Sequence, residues 1–178
     1  MSEITSVAFT ELAGALNGDA DYQRDLHIDA SPEAVFAALT TVSGITGWWG
    51  PATGSGIQGG ELRLAFSHDH PQVFHVDTAQ RMSRVLWRVL DGAWLPDWTG
   101  TTISFELRSG PSGGCQLKFR HQGLTPQLVC YDDCRRGWDF VLPSLGHYAG
   151  TGTGSPFQPA PDIASRQSPS PGRMSPSV

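Results

Sequence analysis

The sequence predicts an α+β domain in which a curved antiparallel β-sheet wraps around one long C-terminal α-helix. Three observations carry this prediction. Apolar and polar residues alternate along several short runs in the middle of the chain, which is typical of half-buried strands. Short turns separate the runs, so successive strands are expected to pair as antiparallel hairpins. After the last run, the apolar period changes to that of a helix.

The first predicted elements are a strand over Tyr22–Asp29 and a helix that begins just after Ser31. Ser31 supplies a side-chain oxygen for an N-cap, and Pro32 suits the first helical position because it lacks a backbone N–H. The apolar stripe of this helix consists of Val35, Phe36 and Leu39. This is the clearest helix start in the sequence.

A glycine-rich stretch and a series of strands follow this helix. Gly44–Gly60 is predicted to be a loop that carries the adjacent tryptophans Trp48 and Trp49. The strand-like runs after this loop are Glu61–Phe66, Gln72–Gln80, Arg84–Asp91, Thr101–Ser109 and Cys115–Gln122.

The last predicted element is a helix from about Val129 to Tyr148. Its apolar face is formed by Cys134, Trp138, Leu142 (or Val141), Leu145 and Ala149. One face of the sheet must be covered, and this long helix is the obvious cover.

Composition narrows the class of protein. The 178 residues suffice for one domain with a core, and 12 basic against 17 acidic residues leave a mild, dispersed net charge of -5. Such a charge distribution does not indicate binding to nucleic acid or to an anionic membrane. No stretch approaches the ~20 apolar residues of a spanning helix, and no secretory signal is recognised. Three cysteines fit no disulfide framework, so we expect a cytoplasmic protein.

The two ends differ in kind from the middle. Residues 1–20 are expected to be an N-terminal extension with the apolar spacing of a short helix. Residues 21–157 are expected to form the domain. Residues 158–178, rich in Pro and Ser and poor in large apolar residues, are expected to be a disordered tail.

Aromatic residues dominate the predicted inner face of the sheet and helix. They are Phe66, Trp87, Phe105, Phe119 and Trp138, and nearby loops add Trp48, Trp49, Trp94 and Trp98. Any single ring is more often a core residue than a ligand contact. Six tryptophans in one small domain nevertheless favour a partly lined cavity, because Trp commonly lines apolar ligand sites.

Short motifs add a family resemblance over about Asp21 to Phe157. In chain order they are Asp29–Phe36, Trp87, Trp98–Thr101, Phe105–Leu107, Leu117–Leu124 and Gly137–Trp138. In this order the motifs resemble the START-like, or SRPBCC, superfamily, and within it the branch named after the activator of the heat-shock protein 90 ATPase. The resemblance implies a helix-grip fold whose deep cavity holds an apolar or amphipathic small molecule. Some superfamily members are polyketide cyclases or hydrolases, and others are carriers.

Potential metal ligands are present but incomplete. Cys130 and Cys134 fall four residues apart on the predicted helix, yet no Cys or His lies at a convincing third spacing for zinc. Ser67–His70 and His75 include further potential metal ligands, but an ordinary polar turn has the same composition. We therefore predict no metal and no cofactor.

His121 is the polar residue predicted to point inward, because it shares strand parity with Leu117 and Phe119. Two interpretations stay open. The imidazole is hydrogen-bonded at the mouth of the cavity, or it acts as the acid–base group of a cyclase or hydrolase, with Asp139 or Asp77 to orient it. No nucleophile elbow or phosphate-binding loop accompanies it, so no catalytic residue is assigned.

The sequence thus predicts a protein that binds a small molecule in an internal hydrophobic cavity, and it favours a binding protein over an enzyme. The predicted lining residues are Trp49, Phe66, Trp87, Phe105, Phe119, His121, Trp138 and Leu142. The alternatives are a co-chaperone-like activator of a chaperone ATPase and a cyclase- or hydrolase-like enzyme that uses His121. No nucleic-acid or membrane partner is expected.

Overall fold

The computed structural model describes residues 20–66, 70–92 and 95–158, which form seven strands and three α-helices. In chain order the elements are β1 (Tyr22–Ile28), α1 (Pro32–Thr40), α2 (Val42–Trp48), β2 (Ala52–Gly54), β3 (Glu61–Leu64), β4 (Gln72–Gln80), β5 (Arg84–Asp91), β6 (Thr102–Ser109), β7 (Cys115–Gln122) and α3 (Tyr131–Thr151). The short helix expected in residues 1–20 and the expected disordered tail lie outside the described residues, apart from residues 20 and 158.

The strands form one sheet in the order β1-β7-β6-β5-β4-β3-β2, and every neighbouring pair is antiparallel. Alternation along β6 and β7 buries one side of each strand and exposes or half-exposes the other. The β4–β5 register shifts between Val73 and Phe74 and again between Val76 and Thr78. Such bulges bend a sheet and increase its twist. The predicted curved antiparallel sheet is confirmed.

Helix α3 covers the inner face of this sheet. Its buried side chains include Cys134, Trp138, Val141, Leu142 and Leu145. It ends where Gly152 adopts a left-handed conformation, with φ 79°, and donates its backbone N–H to the carbonyl of Tyr148. This conformation suits glycine because it has no Cβ. The predicted C-terminal cover is confirmed.

The start of α1 also follows its prediction, since the backbone N–H of Ala34 donates to Ser31 Oγ at 3.2 Å. The loop predicted around Trp48 and Trp49 is wrong. This stretch begins with α2, in which Trp48 is the last residue and Trp49 the C-cap.

The glycines of α2 serve close packing rather than loop flexibility. A Cβ on Gly44 would lie 2.7 Å from both the Cα and the carbonyl oxygen of Ala38. A Cβ on Gly47 would lie 2.2 Å from the ring of Tyr148 on α3. Because α2 packs this tightly against α1 and α3, it places Trp48 and Trp49 under α3 instead of in a surface loop.

Candidate functional site

Aromatic rings fill much of the space between the sheet and α3. Trp87 and Phe105 have ring centroids 4.9 Å apart, Phe105 and Phe119 are 5.3 Å apart, and Phe119 and Trp138 are 4.5 Å apart. None of these four side chains is more than 2% exposed. Edge-to-face and tilted contacts at these distances are the favoured arrangements of packed rings. Trp87, Phe105 and Phe119 form the core beneath the candidate site, and Trp138 lies between this core and the site.

Trp49 is the central ring of this cluster. Its ring lies 5.3 Å from Trp48, 5.8 Å from Trp87 and 5.0 Å from Trp138, measured between centroids. The first two contacts are near-parallel stacks. Phe66 and Phe74 complete its surroundings. Trp49 thus connects the closed core to the outer space described next.

An apolar pocket of about 270 Å³ lies beside Trp49 and opens to solvent. It is lined by Trp49, Phe66, Leu95, Trp98, Asp133, Cys134, Gly137, Trp138, Phe140, Val141 and Phe157. Two rings at its rim are accessible, since Phe140 is 60% exposed and Phe157 is 40% exposed. Exposed aromatic rings around an apolar depression are typical of a ligand site.

One wall of the pocket comes from the segment that follows α3, which we call the strap (Gly152–Phe157). Ser144 Oγ on α3 donates to the carbonyl of Trp48 at 2.8 Å and accepts the backbone N–H of Ser155 at 2.7 Å. The backbone N–H of Phe157 donates to the carbonyl of Trp49 at 2.7 Å. These hydrogen bonds turn the chain back along α3 and place the Phe157 ring 6.0 Å from Phe66.

His121 is fully buried beside the pocket and has a partner on each ring nitrogen. Trp138 Nε1–H donates to Nδ1 at 3.1 Å, and Nε2 lies 2.8 Å from Thr101 Oγ1. The Thr101 hydroxyl donates its own proton to the carbonyl of Trp98, so it accepts from His121 and fixes the proton on Nε2. Burial lowers the pKa of His121 to about 3, although the charge of Asp21 acts in the opposite direction.

The aspartates considered as partners for His121 lie elsewhere. Asp139 accepts the hydroxyl of Tyr22 at 2.5 Å and pairs with Arg24. Asp77 accepts two hydrogen bonds from Arg88, at 2.8 and 3.0 Å, and it contacts His75 Nδ1 at 2.6 Å. The hydrogen bonds from Arg88 lower the pKa of Asp77 to about 2, with His75 adding to the effect and partial burial opposing it. Both carboxylates are thus engaged by other side chains, and neither of them orients the His121 ring.

Cys134 on α3 lines the pocket and lies beside the thiol of Cys130, the N-cap residue of this helix. Trp98 Nε1–H donates to Cys134 Sγ at 3.2 Å, and the Trp98 ring stacks on Trp138 at 5.7 Å. Burial, followed by the neighbouring Cys130 thiol, raises the pKa of Cys134 to about 12, so the thiol stays protonated at neutral pH. Across residues 20–66, 70–92 and 95–158, no three His, Cys, Asp or Glu side chains are grouped to hold a metal ion. Ser67, His68 and Asp69 lie outside these ranges.

The predicted lining residues divide into two sets. Trp49, Phe66 and Trp138 lie at the pocket. The others, which lie in the closed core beneath it and do not line it, are Trp87, Phe105, Phe119, His121 and Leu142.

Sequence reasoning missed several pocket residues. Phe140 lies outside the predicted apolar stripe of α3, and Phe157 is predicted only to be the last residue of the domain. One signal was available for Phe157, because it is the last large aromatic residue before the Pro/Ser-rich segment.

Comparisons with known proteins agree with this architecture. The chain is similar to the Aha1 dimer from Colwellia psychrerythraea, whose solution structure has a TM-score of 0.65 at 26% identity, with 76% of this chain and 99% of that chain covered. CalU16 from Micromonospora echinospora has a TM-score of 0.59 at 18% identity, with 75% of each chain covered. MLL2253 from Mesorhizobium loti has a TM-score of 0.59 at 20% identity, with 72% of this chain and 95% of that chain covered. The latter two show the fold alone.

A search of curated proteins found no match. Within the part of the chain that the structure describes, no helix combines the length and apolar character needed to cross a membrane. The profile of the family described as "Activator of Hsp90 ATPase homolog 1-like protein" matches residues 29–150. The chain therefore belongs to the Activator of Hsp90 ATPase homolog 1-like family, and its fold is the helix-grip fold.

Proposed function

We propose that this protein binds an apolar or amphipathic small molecule in the open pocket between α3, Trp49 and the strap. The observation that carries the proposal is the pocket itself. Ten of its eleven lining residues are uncharged, and the Phe140 and Phe157 rings at its rim are exposed. A flat ligand would remove these rings from water and contact the Trp49 and Trp138 rings below them. Burial of apolar surface and ring contacts both favour binding.

Gly137 provides a specific test of this site. It lies on α3 at the pocket, and a Cβ added there would meet no heavy atom within 4 Å. Gly137→Leu is therefore expected to fill the pocket without a backbone clash. Gly137→Ala is the matched control, because it makes the same change of helix propensity but adds only one methyl group.

The measurement is a thermal-shift and tryptophan-fluorescence titration with naphthalene and a panel of apolar dyes. We expect wild type and Gly137→Ala to bind members of the panel, and Gly137→Leu to lose most of that binding while staying folded. The proposal fails if no compound changes the melting temperature or fluorescence of wild type. It also fails if Gly137→Leu binds as wild type does.

A second candidate function rests on family membership and on the similarity to the Aha1 dimer. In this role the protein would activate a chaperone ATPase through its surface. Many charged side chains of the described surface already pair with each other, as in Arg63–Glu61 and Arg120–Asp21. An ATPase assay with the cognate chaperone tests this role, and an unchanged rate would remove it.

The enzyme alternative that uses His121 gains no support from the geometry. A general base needs a free nitrogen within reach of the substrate. Both nitrogens of His121 are engaged by Thr101 and Trp138, and its side chain is fully buried.

A further inference from the structure

Gln72 is a buried side chain whose hydrogen-bonding capacity is unused. It is the first residue of β4, lies opposite Leu64 on β3, and is 0% exposed. Neither its Nε2 nor its Oε1 has a hydrogen-bond partner among the described residues. A buried amide without partners loses its hydration and gains nothing in return. A leucine would fill a similar space without that cost. The presence of an amide instead therefore points to a partner outside this chain that completes its hydrogen bonds.

The amide lies next to the wall of the pocket. The position that a Cβ on Gly92 would occupy lies 3.1 Å from Gln72 Nε2 and 2.2 Å from the carbonyl oxygen of Leu95. Leu95 is one of the residues that line the pocket. On the other side, Phe74 follows Gln72 on the same inner face, and its ring centroid lies 5.6 Å from that of Trp49. Gln72 is thus flanked by neighbours of the pocket on two sides.

A second unpartnered donor lies on the same inner face. The indole N–H of Trp87 is buried and has no hydrogen-bond partner among the described residues. The Trp87 ring stacks on Trp49 at 5.8 Å and contacts Phe74 at 6.0 Å. Since Trp49 lines the pocket and Trp87 and Phe74 do not, the unused polar atoms lie one side-chain layer behind the apolar wall.

We infer that Gln72 makes this pocket selective for planar ligands that carry a donor and an acceptor side by side, as on the edge of a cyclic amide. A carboxamide presents an N–H donor next to a carbonyl acceptor, and a lactam edge presents the complementary pair. The rings of the pocket hold the flat body of the ligand. Because Gln72 lies behind the pocket wall, the wall near Leu95 must open for the lactam edge to reach it. This inference rests on the proposed function and names the ligand class of the same site.

Three flat bicyclic probes separate stacking from amide recognition. Quinolin-2(1H)-one carries the full lactam edge, its N-methyl derivative lacks the donor, and naphthalene lacks both groups. Their dissociation constants are measured by calorimetry with wild type, Gln72→Leu and Gln80→Leu. Gln80 is the matched control, because it lies on the same strand but is exposed.

We expect wild type and Gln80→Leu to bind quinolin-2(1H)-one about tenfold more tightly than naphthalene, with the N-methyl derivative between them, because two hydrogen bonds are added. In Gln72→Leu this preference should disappear, since quinolin-2(1H)-one weakens about tenfold while naphthalene keeps its affinity. The side-chain amide NMR signals of Gln72 in wild type should shift with quinolin-2(1H)-one and not with naphthalene. This last readout does not depend on the folding of any variant.

The outcomes distinguish the inference from the proposed function. If wild type binds all three probes with equal affinity, or if Gln72→Leu keeps the preference, the inference is overturned and the pocket stands. Unmoved amide signals at saturation with quinolin-2(1H)-one lead to the same conclusion. If none of the three probes binds, the inference is overturned, and if no dye of the panel binds either, the proposed function is overturned with it.

Discussion

Because His121 is buried and neutral in the folded protein, the free energy of unfolding should depend on pH in a range set by the pKa values of this histidine. The pKa of His121 is lowered to about 3 in the folded protein, against 6.5 for the unperturbed side chain. Below pH 6.5 the unfolded chain therefore binds a proton at this position that the folded protein does not bind. The free energy of unfolding must then fall as pH falls, until the folded protein also takes up the proton near pH 3.

The magnitude follows from these two values. Between about pH 7.5 and about pH 5, the loss attributable to His121 is about 2 kcal/mol. At the lower of these pH values the folded imidazole is still neutral, so the loss depends almost entirely on the unfolded pKa. Asp77 contributes at lower pH, because its pKa is lowered from 3.8 to about 2 and its stabilisation is lost only as pH falls through that range. The two effects are thus separable.

Urea unfolding at a series of pH values checks this prediction. Wild type should lose the stated stability between about pH 7.5 and about pH 5, whereas His121→Gln should show a markedly flatter profile from a lower starting stability. His147→Gln is the control, since it changes an exposed histidine and leaves the Thr101–His121–Trp138 hydrogen bonds in place. A flat wild-type profile, or an equally steep one in His121→Gln, would refute the assignment of a neutral buried imidazole.

Three substitutions test the packing of the pocket wall and of the helices. Phe157→Ala should weaken naphthalene binding about threefold to tenfold with a small change in melting temperature, because this half-exposed ring contributes to the pocket wall more than to the core. Unchanged affinity for naphthalene would show that the strap is not part of the site. Gly44→Ala should destabilise the protein by about 1–3 kcal/mol in urea unfolding, since its Cβ would collide with the backbone of Ala38. Gly137→Ala should instead stabilise it by about 0.5–1 kcal/mol through helix propensity, and equal effects of the two alanines would contradict the packing argument.

Local patterns in the sequence predicted most of the fold because their causes are local. The period of two along β6 and β7 decides which side chains point inward, and the N-cap at Ser31 decides where α1 begins. The inward direction of His121 follows from the same parity. The protonation state and hydrogen bonds of His121 do not follow from the sequence. Thr101 and Trp138 are distant from it along the chain, and their hydrogen bonds to it form only when the strand and the helix meet.

Features that depend on packing between distant segments could not be predicted. Gly44 and Gly47 look like loop residues in the sequence, yet each allows a close approach to α1 or α3. The predicted pocket relied on an excess of aromatic residues, which does not distinguish rings that line a space from rings that fill it. Phe157 joins the pocket only because backbone N–H groups of the strap donate hydrogen bonds to Ser144 and Trp49, which return the strap along α3.

The stacked indoles around Trp49 have an optical consequence. Trp48, Trp49 and Trp87 form a near-parallel series with centroids 5.3 and 5.8 Å apart, and Trp138 links Trp49 to Trp98. Electronic transitions of chromophores held this close in a fixed chiral arrangement couple, and the coupling changes sharply with the angle between the rings. A small rotation of Trp49 would therefore alter the near-ultraviolet circular dichroism of the whole cluster. The protein carries a label-free reporter at the boundary between its pocket and its core.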